Sequence, residues 1–112
     1  MPQSKTIVWI TTQFESLHHW PDAPDIVGFL RHPHRHVFHV KLAMLVTHDD
    51  RDVEFILLKK QVSLYLESQY GGNAGQSSCE MIAKRLMTQF GAEWVEVSED
   101  GENGARVERW VE

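Results

Sequence analysis

The 112-residue chain has one cysteine, Cys79, so no disulfide can form within it. It has no apolar run long enough to span a bilayer. Its opening, MPQSKTIVWI, lacks the apolar segment and cleavage site of a signal peptide, so a cytoplasmic protein is the expectation. Cations are outnumbered: 11 Lys and Arg stand against 16 Asp and Glu, a formal net charge of -5. Without a basic stripe to displace counterions, non-specific nucleic-acid binding is not expected, although a nucleotide or another small ligand remains compatible. No internal repeat and no linker divides the sequence, which reads as one domain over residues 1–112. Hydrophobic residues make up 42%, enough for one modest core. A domain this small exposes much of its surface, and partner subunits would help cover it.

Histidine, in contrast, is plentiful and clustered. The stretch FLRHPHRHVFHV, Phe29 to Val40, carries four of the seven. His32, His34 and His36 are spaced by two, and His39 falls out of that rhythm. His34, His36, Phe38, Val40, Leu42, Met44 and Val46 share one parity, so a strand from about His34 to Thr47 would carry an apolar face with two histidines at its leading end. Upstream, SKTIVWITTQF is rich in β-branched and aromatic residues and predicts a strand from about Lys5 to Phe14. The intervening ESLHHWPDAPDIVGFLRHP contains three prolines and predicts a long connection without regular structure.

Beyond the second strand, HDDRD predicts a turn and a helix start. Phe55, Leu58, Val62, Tyr65 and Leu66 recur at helical spacing, placing a helix over about Val53 to Gln69. GGNAGQ breaks it. Ser77 and Glu80 have the spacing of a capping box and predict the start of a second helix. Cys79, Ile82, Ala83, Leu86 and Phe90 form its apolar stripe, and Gly91 is placed to end it. EWVEVSE alternates, DGENG carries two turn signals, and ARVERWV predicts a returning strand. The order β-β-α-α-β-β predicts an α+β fold, an antiparallel four-stranded sheet with two helices on one face. Its two open edges invite pairing with another subunit.

Neutral imidazole is the commonest metal ligand. Two histidines at i and i+2 on a strand point to one side, so His34 and His36 can reach one ion. Catalytic zinc takes three protein ligands and keeps a fourth position open, and His18 or His19 is the supply for the third. The competing explanation is a solvated polar strand end. A cupin-like metal enzyme also uses a His-x-His strand, but two helical patterns and few strands oppose that all-β barrel.

Taken together, FESLHHW, HRHVFHVKL, DVEFILLKKQV, SSCEMIAKRL and VEVSEDGENGA resemble the 6-pyruvoyl-tetrahydropterin synthase and 6-carboxy-tetrahydropterin synthase family, zinc lyases of pterin and queuosine biosynthesis. FESLHHW is similar to the family's Phe-x-x-x-His segment, which makes His18 the first zinc ligand. HRHVFHVKL is similar to its His-Gly-His-x-Tyr strand, which makes His34 and His36 the other two. DVEFILLKKQV is similar to the segment that opens the first helix, and SSCEMIAKRL to the Pro-Thr-x-Glu-Asn start of the second. VEVSEDGENGA is similar to the Val-x-Val-x-Glu-Thr segment, whose glutamate holds the pterin; that position is Glu99. The resemblance implies the T-fold, in which subunits join edge to edge into a barrel, commonly a homohexamer. It also implies a Zn2+ cofactor and a pterin or guanine-like ligand.

Three departures accompany it. The family's catalytic cysteine lies four residues before the first histidine of the pair, and here that position is Leu30. The family's Asp-His pair between the helices is absent from LESQYGGNAGQ. Arg35 replaces the glycine between the two ligands. Metal ligands and the anchoring glutamate are kept while the proton-transfer groups are not. His32, His19 and Asp22 are the only candidate bases nearby, His32 foremost. His19 is the alternative ligand if the register slips by one; otherwise His32 and His39 read as surface residues. Glu99 follows two inward valines and could accept two N–H bonds from a ring edge, the competing explanation being a turn residue preceding Asp-Gly. Glu80 is a second ligand-binding candidate, although a capping box would explain it alone. Cys79 reads as core, and Trp20 as pocket lining or loop packing. Two functions follow: a zinc-dependent carbon-oxygen lyase-like protein acting on a pterin or deazaguanine precursor, or a non-catalytic binder of a pterin, guanine derivative or nucleotide.

Overall fold

Alternation of apolar and polar residues builds the centre of this protein. The structure, a computed structural model, describes residues 4–110. Strand β1 (Thr6–His18) pairs antiparallel with β2 (His34–Val46) along its whole length, from Thr6 opposite Val46 to His18 opposite His34. The connection between them contains a 3-10 segment, Asp25–Arg31, where no regular structure was expected. Arg31 holds it, donating from Nε to the Ala23 carbonyl and pairing with Asp25. Helix α1 (Phe55–Tyr70) follows, then β3 (Gly72–Gly75), helix α2 (Cys79–Phe90), β4 (Trp94–Glu99) and β5 (Asn103–Glu108).

The sheet has five strands in the order β3-β1-β2-β4-β5. That corrects the expected four. Strand β3 is Gly-Asn-Ala-Gly, which has no β-branched or aromatic residue and marks only a break in the sequence. It exists because β1 runs on to His18, past the expected end at Phe14, and offers a free edge to which β3 pairs in parallel. Gly72 and Gly75 have φ of 81° and 61°, the left-handed region where glycine is at ease.

One face of the sheet carries the core. Ile10 and Phe14 on β1, Phe38, Val40 and Leu42 on β2, and Val95 and Val97 on β4 are buried against Leu58, Val62 and Leu66 of α1 and Ile82 and Leu86 of α2. Each such side chain contributes about 1.5–3 kcal/mol relative to remaining exposed. Phe55, expected in the α1 stripe, is 55% exposed; Val53, just upstream, packs against the core in its stead. Helix α1 starts at Glu54, whose carboxylate accepts from the backbone N–H groups of Ile56 and Leu57. Helix α2 starts one residue later than the expected capping box: Ser78, not Ser77, is the N-cap, its Oγ accepting from Met81 N–H at 3.1 Å. Gly91, at φ 65°, ends the helix as expected. No described helix is long and apolar enough to cross a membrane.

Of the two turn signals in DGENG, Asp-Gly makes the turn. Asp100 and Gly101 both have positive φ, and Glu102 N–H donates to the Glu99 carbonyl. Asn-Gly lies inside β5, where a Cβ on Gly104 would fall 2.2 Å from the Val97 carbonyl oxygen. Among the described residues, the opposite sheet face carries no helix. There Lys41 Nζ lies 4.3 Å from the centre of the Trp9 ring and the Arg106 guanidinium 3.7 Å from that of Trp94, a cation–π ladder across four strands. Strands β3 and β5 leave the two edges unpaired among the described residues, so the sheet is not closed.

Candidate functional site

Even-numbered residues of β1 face the helices, and this parity carries Ile10, Phe14, Ser16 and His18 inward in turn. His18 is therefore the last residue of a strand and not a residue just beyond one. Its end of β1 is pinned from three sides. Ser16 Oγ donates to the Tyr70 carbonyl at 2.7 Å, His19 N–H donates to the Gly75 carbonyl, and His18 Nδ1 meets the Ser77 carbonyl at 3.0 Å. The serine expected to cap α2 thus orients a histidine instead. Antiparallel register sets His34 opposite His18, and the period of two sets His36 beside it. Phe38, the next residue of that parity, is fully buried and stands edge-on to the His18 ring. It stacks in turn on Phe14, giving the site an apolar floor.

Strand β4 supplies the fourth member. Phe38 pairs with Glu99, so the parity that buries Val95 and Val97 turns the Glu99 carboxylate toward the histidines. One ligand atom from each of His18, His34, His36 and Glu99 lies within 4.8 Å of all the others.

The tautomer of each ring follows from its partner. His18 Nδ1 faces the Ser77 carbonyl, His34 Nδ1 faces the His32 carbonyl at 2.9 Å, and His36 Nδ1 faces Asp100 Oδ2 at 2.6 Å. A carbonyl or carboxylate oxygen can only accept, so each Nδ1 donates, and the tautomer this selects has its lone pair on Nε2. Fixing the far nitrogen in this way is how proteins aim imidazoles at a metal. His18 Nε2 is buried and has no hydrogen-bond partner among the described residues, even though Glu99 Oε2 is 2.9 Å away. The oxygen lies off the line along which the ring nitrogen would donate or accept. Two donors that both point at a third body meet in that side-on way, at roughly 3.3 Å for tetrahedral zinc with bonds near 2.0–2.2 Å. The observed 2.9 Å, together with 3.7 Å from His36 Nε2 to Glu99 Oε1, brackets that value. The residues fit a zinc-sized cation.

Asp100 secures His36. Its two oxygens accept from His36 Nδ1 at 2.6 Å and from Val37 N–H at 3.0 Å. The Val37 N–H, and after it His36, holds the Asp100 carboxyl below the usual carboxylate range. Because the folded value is lowered, these contacts persist from neutral pH down through the ordinary carboxylate range. They are lost only as the pH falls through the lowered value. Asp100→Asn keeps the side-chain size and tolerance for positive φ but cannot accept from both partners through equal oxygens. It is expected to weaken metal binding about 10–100-fold, measured by chelator competition. Unchanged affinity would show that His36 is oriented by other means. Asp100 escaped sequence reasoning; its only signal was its place at the head of the Asp-Gly turn.

A pocket of about 520 Å³ opens over the cluster. His18, His34 and Glu99 of the cluster line it together with Trp20, Leu30, Ser78, Cys79 and Glu80. Cys79 is both core and pocket wall, and burial pushes its thiol up to about 12, with Glu99 and Glu80 adding to the effect. With Ser78 as the cap, Glu80 is not the reciprocal partner of a capping box. Glu80 is exposed, has no side-chain hydrogen-bond or ion-pair partner among the described residues, and lines the pocket. Leu30, at the position where the resemblance expects a cysteine, does line the pocket. The His32 ring is exposed and outside the cluster, and only its backbone carbonyl takes part. His19 lines the pocket without joining the donors. Asp22 is exposed, and His39 lies on the opposite face of the sheet.

Neither a protein-family model nor a curated protein sequence matches the chain. Among solved structures, it is similar to the 6-pyruvoyl tetrahydropterin synthase of Caenorhabditis elegans. The TM-score is 0.72 over 96% of this chain and 97% of that one, at 14% sequence identity. At that identity the likeness is one of architecture, and the α+β arrangement described above is a T-fold.

Proposed function

We propose that this protein is a cytoplasmic zinc-binding member of the 6-pyruvoyl/6-carboxy-tetrahydropterin synthase type, taking a pterin or guanine-like ring in the pocket above its histidines. The buried, partnerless His18 Nε2 aimed into the cluster carries this reading. His18, His34 and His36 would hold the ion, which would polarise an oxygen on the ligand's side chain. The chain's own groups do the rest. Phe38 and Phe14 keep the floor dry, Trp20 and Leu30 offer apolar surface to a flat ring, and Glu99 and Glu80 are the carboxylates within the pocket able to accept paired N–H groups. The absence of a thiolate and of an Asp-His pair favours binding over lyase chemistry.

The test is a calorimetric titration of a dihydropterin into the zinc-loaded protein. Loss of hydrogen bonds to a charged acceptor costs about 1.5–3 kcal/mol, so Glu99→Ala is expected to weaken binding about tenfold or more. Equal affinity in wild type and variant would move the anchor to Glu80. No heat and no competition with guanine would end the ring-ligand reading.

The unpaired edges of β3 and β5 favour a homo-oligomer closed edge to edge, a hexamer by resemblance. Light scattering is expected to return a multiple of 13.0 kDa at micromolar concentration. A monomer would overturn it.

A further inference from the structure

We infer that Glu99 is itself a metal ligand in the ligand-free protein, closing the fourth position that a catalytic centre keeps open. This rests on the zinc reading above and deepens it. The carboxylate lines the pocket and also reaches the histidines. Oε2 is 2.9 Å from His18 Nε2 and Oε1 is 3.7 Å from His36 Nε2, so both oxygens lie among the nitrogen donors. Neither contact is a hydrogen bond, and the opposite ring nitrogens of His18 and His36 are engaged by the Ser77 carbonyl and Asp100. Ring nitrogens held this close to a carboxylate with no hydrogen bond between them are placed to share one cation. The neighbouring carboxylate cannot take the role, because Asp100 is committed to Val37 N–H and His36. Three neutral imidazoles and Glu99 complete a tetrahedral set.

A consequence follows for any ring that binds. Its N–H groups and the metal compete for one carboxylate. Drawing Glu99 off the histidines would open the coordination position as the ligand arrives, and in its absence the centre stays closed to small anions and solvent. Glu99 is about one-third exposed, so it has room to swing.

Cobalt(II) in place of zinc gives a coloured reporter of ligand number, and thiocyanate is an anionic probe that binds most readily at an open position. The cobalt-loaded wild-type spectrum is expected to stay unchanged at thiocyanate concentrations that saturate Glu99→Ala. Glu99→Gln, which keeps the size and removes the charge, is expected to bind thiocyanate as well and guards against a folding defect in the alanine variant. Wild-type protein that takes up thiocyanate as readily as both variants would overturn the inference and leave the three-histidine site standing. Cobalt held by all three proteins with thiocyanate bound by none would show that something other than Glu99 closes the position. Failure of the wild type to take up cobalt at all would instead sink the metal site itself.

Discussion

His36→Ala is expected to abolish stoichiometric zinc binding. The wild-type protein should purify with about one zinc per chain, the occupancy of a site with three imidazole ligands. Removing the orienting partner of a ligand already costs about 10–100-fold in affinity, so removing the ligand should cost on the order of a hundredfold or more. The effect should also appear in stability. A ligand present at one hundred times its dissociation constant stabilises the fold by about 2.7 kcal/mol. For a chain of this size that raises the midpoint of thermal unfolding by about ten degrees. Zinc should produce that rise in the wild type and a chelator should remove it; in His36→Ala both should do nothing. His39→Ala, on the opposite sheet face, is the control and should behave as wild type. An unfolding midpoint insensitive to zinc, with no zinc by metal analysis, would return the histidines to a polar strand end.

Turnover of 7,8-dihydroneopterin triphosphate is expected to be slight or absent, because the cysteine and the Asp-His pair that the resemblance implies for that reaction are missing. Leucine at position 30 can neither give nor take a proton. The one thiol of the chain, Cys79, lines the same pocket, but burial keeps it protonated, with a value of about 12. His32 is exposed and its ring stands outside the cluster. Loss of a positioned acid–base group costs about 10²–10⁴-fold in rate. Leu30→Cys should not restore ordinary activity, since a thiol needs an activating partner and the Asp-His pair is missing too. Product analysis over long incubations tests both statements. Wild-type turnover at ordinary family rates would refute them, and His32→Ala would then show whether that ring serves as the base.

Much of this arrangement is legible in the residues alone. The parity of β2 places His34 and His36 on the apolar face because a strand repeats every two residues. The same rule puts Glu99 on the face of Val95 and Val97. The stripes of Leu58, Val62 and Leu66 and of Ile82 and Leu86 mark both helices, since an apolar surface at helical spacing has to be covered. Asp-Gly and Gly91 mark a hairpin turn and a helix end because only certain residues adopt positive φ at low cost.

Other features depend on contacts between residues far apart in sequence. Strand β3 has no intrinsic preference for the extended state and forms on an edge that β1 provides. Ser77 and Ser78 are alike as caps. The choice of Ser78 leaves the Ser77 carbonyl to meet His18, fifty-nine positions away, and frees Glu80 from capping. That Asp100 steers His36, and that Glu99 sits among the metal donors, depends on the pairing of β2 with β4 across sixty-odd residues. Local propensity sets which face each histidine takes. Only the packed sheet decides which nitrogen each presents, and to what.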